Sequence, residues 1–340
     1  MQLDRTHLVI RVRTLSEIGD LALLLLRRYP RGVFLAFLMG AVPWILVDIA
    51  LLGWIPLSID QQEFFDEDSA ADLFRYGIGM VTLISLQTPL AGMFSTLYLG
   101  LAVFEKRPTM RQIWRDGLAL MGRAIWTLGI LRLAIPITVL YALTWMRDYD
   151  PFRDSVVPLA ILVYVAITRG SRPFLPEMLL LERCPRKSRS ANVVTLSRRS
   201  KLLHAPISSD LGGRFLMTAF VLGVLSAAVF YTLIFARGIA LNRWSLDAIA
   251  WLLFFPASLW TVAAISVIVR LLSYLDARIR LEGWEVELAF RAEAMRQFGH
   301  EDPLESVPVA ANRGSSSEAA NAPAAAAEDD KNLSATAAQT

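Results

Sequence analysis

The chain has 340 residues, 55% of them hydrophobic, and a formal net charge of only +3. Soluble domains average about 45–50% apolar residues. The excess here falls into long runs separated by charged connectors, which is the pattern of a membrane protein rather than of a soluble core. The single cysteine, Cys184, excludes an intramolecular disulfide.

Residues 1–32 form a polar, mainly basic arm before the first long apolar run. Thr14 and Glu17 have the spacing of a capping box, in which each side chain bonds the other residue's backbone N–H. They predict a helix from Leu15 to about Tyr29. Its basic end and apolar stripe are typical of an interfacial helix in the headgroup region. The alternative is an ordinary helix packed on the rest of the protein.

Six segments are apolar enough over about 20 residues to span a bilayer. We therefore expect an all-α fold, a polytopic transmembrane helix bundle of about six spans over residues 33–275. The fourth span is the weakest, because its apolar run stops before Arg169, and a re-entrant segment is the alternative. The predicted spans are Val33–Leu57, Gly77–Phe104, Met121–Trp145, Ser155–Phe174, Arg214–Ala236 and Leu246–Tyr274.

Strongly and weakly basic connectors alternate along the chain. Lysine and arginine are retained on the cytoplasmic side when a membrane protein inserts. The N-terminal arm and the second and fourth connectors are strongly basic, whereas the first connector is acidic. The pattern predicts a multi-pass protein of a bacterial cell inner membrane, with both termini cytoplasmic and the acidic loop outside.

Most predicted spans contain an internal proline, which removes one backbone hydrogen bond and kinks the helix. Such kinks are tolerated in lipid because neighbouring helices satisfy the freed carbonyl groups. They favour a transport function only slightly. The prolines are Pro43, Pro89, Pro136, Pro158 and Pro256.

The segment that follows the last span predicts a charged cytoplasmic helix over residues 276–299. Alternation around Trp284 also fits a strand, which is the competing prediction. Residues 300–340 lack periodic apolar content and predict a disordered tail.

The predicted cytoplasmic helix carries an apolar stripe that needs a surface to cover it. Its acidic residues favour the basic fourth connector, from Arg186 to Lys201, or a partner protein, as that surface. The candidate docking residues are Asp276, Arg278, Arg280, Glu282, Trp284 and Leu288.

Three stretches of the sequence have a familiar form. They are TLSEIGDLALLLLRRYPRGVF near the start, RPFLPEMLLLE in the middle and YLDARIRLEGWEVEL after the last span. They resemble the membrane domain of glycerophosphoryl diester phosphodiesterase and its stand-alone bacterial relatives. The resemblance covers about a fifth of the chain and implies a membrane module without the enzyme. The connectors cannot hold the phosphodiesterase barrel of ~250 residues.

Two charged residues are predicted to lie near the middle of the bilayer, Asp48 in the first span and Arg132 in the third. Each alone would cost roughly 2.5–3.5 kcal/mol on insertion scales. Their opposite signs and similar depth predict an ion pair. Such a pair would either fix the register of two helices or form a gate or proton-coupled site. The remaining alternative is that one or both face water.

No catalytic or cofactor motif is recognisable in the sequence. It has no glycine-rich phosphate loop, HExxH, GxSxG or CxxC, and its three histidines, His7, His204 and His300, stand alone. The acidic run around Asp66 lacks the glycine of a calcium loop, so a solvated loop is expected. The basic fourth connector has no interleaved aromatics, which favours membrane lipids over nucleic acid as partners.

The function that these features favour is that of a non-enzymatic scaffold or assembly partner in the bacterial cell envelope. It would bind membrane lipids and a cytoplasmic or membrane protein, without a cofactor, metal ion or nucleic acid. The alternative is a transporter or lipid translocator that uses Asp48 and Arg132.

Overall fold

A computed structural model describes residues 13–59, 67–103, 108–144, 150–186 and 194–283. These residues form helices, and no strand occurs among them. The acidic run from Asp60 to Asp66 and all residues from Trp284 onward lie outside the described residues. The helices are α1 (Leu15–Arg28), α2 (Pro30–Leu52), α3 (Trp54–Ser58), α4 (Glu67–Ala91), α5 (Met93–Ala102), α6 (Met110–Ala124), α7 (Ala134–Thr144), α8 (Pro151–Ser171), α9 (Leu175–Leu180), α10 (Leu196–His204), α11 (Ser208–Leu241) and α12 (Phe255–Glu282).

Four continuous segments in the described part of the chain are long and apolar enough to cross a membrane. Two further segments reach that length only as bent helix pairs, so the number of spans lies between four and six. The predicted all-helical fold, with several helices long and apolar enough to span a membrane, is therefore confirmed. A count of six spans requires that each bent pair form one span. The four continuous segments are Pro30–Ser58, Phe152–Ser171, Leu196–Leu241 and Ala250–Glu282.

The two bent pairs have identifiable local causes. The first bends by 46° at Gly92, between α4 and α5, three residues after Pro89. The second bends by 65° between a π-helical segment, Ile125–Ile130, and α7. Leu133 adopts a φ of 59° at this bend, a left-handed conformation that is costly for a branched side chain. The fourth predicted span, for which a re-entrant segment was the alternative, is one continuous helix. The bends that a re-entrant segment would require occur instead in the second and third predicted spans.

Helix α1 begins with the predicted capping box. The Glu17 backbone N–H donates to the Thr14 hydroxyl, and the Thr14 N–H donates to the Glu17 carboxylate at 2.9 Å. Ile18, Ala22 and Leu25 are buried in the protein core, and α1 packs mainly on α12. The apolar stripe of α1 is thus covered by the protein, as in the packed-helix alternative.

Small residues let the central helices approach closely. A Cβ atom added at Gly40 of α2 would lie 2.1 Å from the Ala91 carbonyl oxygen of α4. A Cβ atom at Gly92 would lie 2.5 Å from a methyl group of Val267 in α12. Close contact of this kind stabilises helix association in membranes, where burial of apolar surface gives little driving force.

The end of the bundle opposite α1 is held by buried ion pairs. Arg75 of α4 lies 3.3 Å from Asp154 of α8, and both side chains are almost fully buried. Arg237 of α11 makes a bidentate contact with Asp247 at 2.7 and 2.8 Å. The sequence had placed Arg75 in an exposed connector, but α4 begins earlier than predicted and carries it inside the helix bundle.

The sequence predicts that the α1 end of the bundle faces the cytoplasm, and single cysteines can test this. Cys184 is a poor reporter because it is only 9% exposed and burial raises the pKa of its thiol. In a Cys184→Ala background, Arg115→Cys lies at the α1 end, where the native side chain is 86% exposed. Arg243→Cys lies at the opposite end and is also exposed.

A membrane-impermeant maleimide should label the cysteine at 243 in intact spheroplasts. It should label the cysteine at 115 only after the membrane is broken. The reverse pattern would overturn the predicted orientation, and labelling of both in intact spheroplasts would overturn the odd number of spans between them.

Close packing at Gly40 predicts that Gly40→Ala destabilises the fold by about 1–3 kcal/mol, as overpacking commonly does. The matched control is Gly122→Ala in α6, where an added Cβ atom meets nothing within 4 Å. Thermal unfolding in detergent micelles should show a lowered Tm for the first variant alone. Equal Tm values for the two variants would contradict the close contact of α2 with α4.

Candidate functional site: an arginine cluster beside a groove

A buried ion pair stands at the centre of the site. Arg270 of α12 donates from Nε to Glu177 Oε1 at 2.6 Å, and the Glu177 side chain has no exposed surface. Glu177 lies in α9, a six-residue helix that begins after Pro173 and Phe174 and whose residues are all buried. Arg270 also reaches the Thr96 hydroxyl of α5. The pair therefore joins three separate helices inside the bundle.

Two further arginines lie close enough to this pair to interact with it electrostatically, Arg132 and Arg169. Arg169 of α8 donates to the Ser85 carbonyl at 2.8 Å. Arg132, at the bend before α7, donates to the Arg172 carbonyl at 2.6 Å and to that of Thr168 at 3.4 Å. It thereby caps the C-terminal end of α8, where a cation is favoured by the helix dipole.

Within the described residues, neither Arg132 nor Arg169 contacts a carboxylate. We use "arginine cluster" for Arg132, Arg169, Arg270 and Glu177. Three positive charges against one negative charge leave a surplus of two. Backbone carbonyls supply hydrogen-bond acceptors but no net charge, so the surplus is not neutralised by these contacts.

A groove of about 420 Å³ runs along the bundle between α4, α8, α11 and α12. Arg169 and Arg270 of the arginine cluster line it, together with hydroxyl groups of Ser85, Ser266 and Ser273. The rest of the lining is mainly apolar and includes Ile84, Leu162, Phe215, Leu222, Leu259 and Val262. The volume lies within the range of small-molecule sites, roughly 300–1,000 Å³. The groove thus joins a basic end to an apolar body.

A second group of charges lies at the α1 end of the groove. The Asp276 carboxylate, 2% exposed, contacts Arg280 at 2.9 Å and Arg214 at 3.3 Å. It also accepts a hydrogen bond from the Arg13 backbone N–H at 2.8 Å, while Asp210 contacts Arg214 at 2.7 Å. This Asp276 group, consisting of Asp210, Arg214, Asp276 and Arg280, has two charges of each sign and ties α1 to α11 and α12.

The remaining described docking candidates belong to a network around Glu182. Arg199 of α10 makes a two-pronged contact with Glu182 at 2.7 and 2.8 Å and also bonds Glu282. Tyr274 donates to Glu182 at 2.6 Å, and Arg278 bonds Glu282 at 2.6 Å. Burial disfavours the Glu182 carboxylate, but the hydrogen bonds and positive charges of its partners hold its pKa below the usual value.

The candidate docking residues Asp276, Arg278, Arg280 and Glu282 therefore have partners within this chain, and Glu282 reaches Arg199 of the basic fourth connector. Residues 276–282 of the predicted charged helix are the end of α12. This helix ends at Glu282, and the next residue, Gly283, adopts a left-handed backbone conformation. The other two candidates, Trp284 and Leu288, lie outside the described residues.

Asp48 and Arg132 are not brought together, so the predicted ion pair requires correction. Asp48 of α2 is 1% exposed and accepts a hydrogen bond from the Gln87 side chain of α4 at 2.8 Å. Arg132 turns instead to the end of α8. Similar depth in the bilayer does not place two residues on facing sides of their helices, and here they face different neighbours.

Sequence reasoning missed the arginine cluster, although one signal was present. Arg270 lies within the predicted sixth span, where an uncompensated charge would be costly. The sequence singled out Arg169 only as the residue before which the fourth apolar run stops, and Glu177 only as part of a family-like stretch. Their convergence with Arg270 depends on the contact of α12 with α9, 93 residues away in sequence. In the described part of the chain, no three His, Cys, Asp or Glu residues are grouped as metal ligands.

The fold and site define a helical protein with apolar helices suited to a membrane and a basic groove inside it. A scan against protein-family models finds no match, and searches of curated proteins and of solved structures find no similar protein. The resemblance to the phosphodiesterase membrane domain therefore stays a prediction from the sequence.

Removing the one carboxylate of the arginine cluster should be costly. Glu177→Gln leaves the three partly buried arginines of the cluster without its only carboxylate, and breaking a buried pair typically costs about 3–5 kcal/mol. The double variant Glu177→Gln/Arg270→Met should recover part of that loss, because it removes the unpaired cation as well.

The control is Asp116→Asn, which disrupts contacts with Arg115 and Arg183, whose side chains are 86% and 61% exposed. Surface pairs contribute only about 0–1 kcal/mol. Thermal unfolding in detergent should therefore separate Glu177→Gln clearly from the control. Additive losses in the double variant would show that Glu177 and Arg270 do not depend on each other.

Proposed function

We propose that this protein binds an anionic amphiphile, a membrane lipid, in the groove between α4, α8, α11 and α12. The lipid's headgroup would contact Arg169 and Arg270, and its hydrocarbon would lie along the apolar lining. The proposal includes the finer topology expected from the sequence, with six spans in a cell inner membrane and both termini in the cytoplasm.

The observation that carries the proposal is the surplus positive charge of the arginine cluster. Cations in a low-dielectric interior are stabilised by a matched anion. Within the arginine cluster one carboxylate faces three arginines, and the cluster opens into a groove whose remaining lining is mainly apolar. An anion attached to a hydrocarbon chain satisfies both requirements, whereas a free soluble anion satisfies only the first.

The bent helices favour the translocator form of this function over a purely static site. Discontinuous membrane helices commonly surround the binding sites of transporters. Arg132, a member of the arginine cluster, lies at the 65° bend of the third span. This retains the transporter alternative drawn from the sequence, with Arg169 and Arg270 in place of Asp48 as the ligand-facing residues.

The scaffold hypothesis receives less support from these contacts. It relied on the charged helix as a docking surface, and Asp276, Arg278, Arg280 and Glu282 all engage partners in this chain. A protein partner remains a proposal for residues beyond Gly283.

Lipid binding by the purified protein in detergent would test the proposal, with dioctanoyl phosphatidylglycerol as the anionic probe and dioctanoyl phosphatidylcholine as the zwitterionic control. We expect preference for the anionic lipid. Arg169→Gln should weaken that binding about tenfold or more, because a charge-assisted hydrogen bond contributes about 1.5–3 kcal/mol.

The control is Arg115→Gln, which removes the same charge from a side chain that is 86% exposed and lies outside the groove. It should change affinity less than about threefold. Absence of binding to either lipid would refute the proposal. The proposal would also be refuted if the unmodified protein and the Arg169→Gln variant each bound the two lipids equally well.

A further inference from the structure

The charge of the site also indicates which headgroup it selects, an inference that rests on the proposed lipid-binding function. The Asp276 group is internally balanced, since Arg214 and Arg280 face Asp210 and Asp276. It therefore does not alter the charge that a ligand must match. The arginine cluster alone retains a surplus of two positive charges within the described residues.

Different phospholipid headgroups match this surplus unequally. A phosphodiester carries one negative charge and would leave one cation unmatched. A phosphomonoester carries about −1.5 to −2 charges at neutral pH, because its second pKa is near 6, and has three terminal oxygens. Guanidinium groups bind such oxygens through paired hydrogen bonds. Only the phosphomonoester brings the site close to neutrality.

A zwitterionic headgroup is disfavoured for a separate reason. Its ammonium would need a carboxylate, yet the carboxylates beside the groove already have partners: Glu177 bonds Arg270, and Asp276 bonds Arg214 and Arg280. The hydroxyl groups of Ser266 and Ser273 donate to backbone carbonyls at 2.7 and 2.8 Å. The remaining hydroxyl lone pairs are weaker partners for a cation than a carboxylate is.

The apolar body of the groove distinguishes a lipid from free phosphate. Leu162, Phe215, Leu222 and Leu259 line it beyond the arginines, and a hydrocarbon chain there removes apolar surface from contact with water or detergent. Inorganic phosphate offers the same charge without this contribution. A bound lipid should consequently be held far more tightly than the isolated headgroup.

We infer that the groove between α4, α8, α11 and α12 selects an amphiphile with a phosphomonoester headgroup. Arg169 and Arg270 contact the phosphate, Arg132 contributes its charge from behind them, and the hydrocarbon lies against α8 and α11. Neither the sequence motifs nor the comparisons with known proteins assign this site.

The test compares three probes on the full-length protein in detergent: dioctanoyl phosphatidic acid, dioctanoyl phosphatidylglycerol and inorganic phosphate. Phosphatidic acid should bind about tenfold or more tightly than phosphatidylglycerol at pH 7.5. That preference should shrink at pH 5.5, where the phosphomonoester loses most of its second charge. Inorganic phosphate should bind at least about a hundredfold more weakly than phosphatidic acid, because it lacks the hydrocarbon whose burial raises the affinity by several powers of ten.

Variants keep the inference separable from a folding defect. Arg169→Gln should reduce the preference for phosphatidic acid to less than about threefold, and Arg169→Lys should restore part of it, because the charge returns without the paired geometry. Arg115→Gln should leave the preference unchanged. Only variants whose Tm equals that of the unmodified protein are compared, so a loss of preference reflects the site and not a folding defect.

The outcomes distinguish this inference from the proposed function. Equal binding of phosphatidic acid and phosphatidylglycerol would overturn the headgroup selection while leaving a general anionic-lipid site. Comparable affinity for inorganic phosphate would overturn a lipid as the ligand. Failure of all three probes to bind would overturn both proposals together.

Discussion

The buried contact between Glu177 and Arg270 is the interaction on which the inner part of the bundle depends. It links α9, a short helix with no exposed residue, to the last long helix and to Thr96 of α5. A fully buried carboxylate is tolerated only when a cation and hydrogen bonds compensate its desolvation. Once this contact occupies the only carboxylate of the cluster, Arg132 and Arg169 are left to backbone carbonyls, and their surplus charge becomes the defining property of the groove.

Arginines at the end of the bundle opposite α1 are paired with carboxylates, unlike most of those around the Glu177–Arg270 pair inside the bundle. At the end opposite α1, Arg75 is paired with Asp154 and Arg237 with Asp247. Around the Glu177–Arg270 pair, positive charge exceeds negative charge among the described residues. Ion pairs that balance each other fix helix positions, whereas an unbalanced cluster beside an apolar cavity requires a further anion. This asymmetry is the physical basis for placing the binding site beside α8 rather than at the ion pairs of the opposite end.

The sequence alone indicated which apolar segment contains a charged residue, but not which neighbouring residue its side chain contacts. Asp48 lies within the long apolar helix α2, whereas Arg132 lies at the break before α7. The neighbour that each side chain contacts was decided by helix rotation and by the bend at Leu133. Asp48 meets Gln87, a neutral side chain whose importance no sequence pattern indicated. A hydropathy profile records how far a residue lies along its span and carries no information about which neighbouring helix its side chain will face.

Local patterns in the sequence were sufficient to predict the helical fold class and the capping box at Thr14 and Glu17. They also predicted apolar segments long enough to cross a membrane. Each of these features depends on residues that are close together in the chain. The breaks near Gly92 and Leu133 and the convergence of Arg132, Arg169, Glu177 and Arg270 were decided only by tertiary packing. These four residues come from four separate segments, and their shared electrostatic environment exists only when the helices have assembled. The site is therefore a property of the folded bundle, whereas the membrane character is a property of the chain itself.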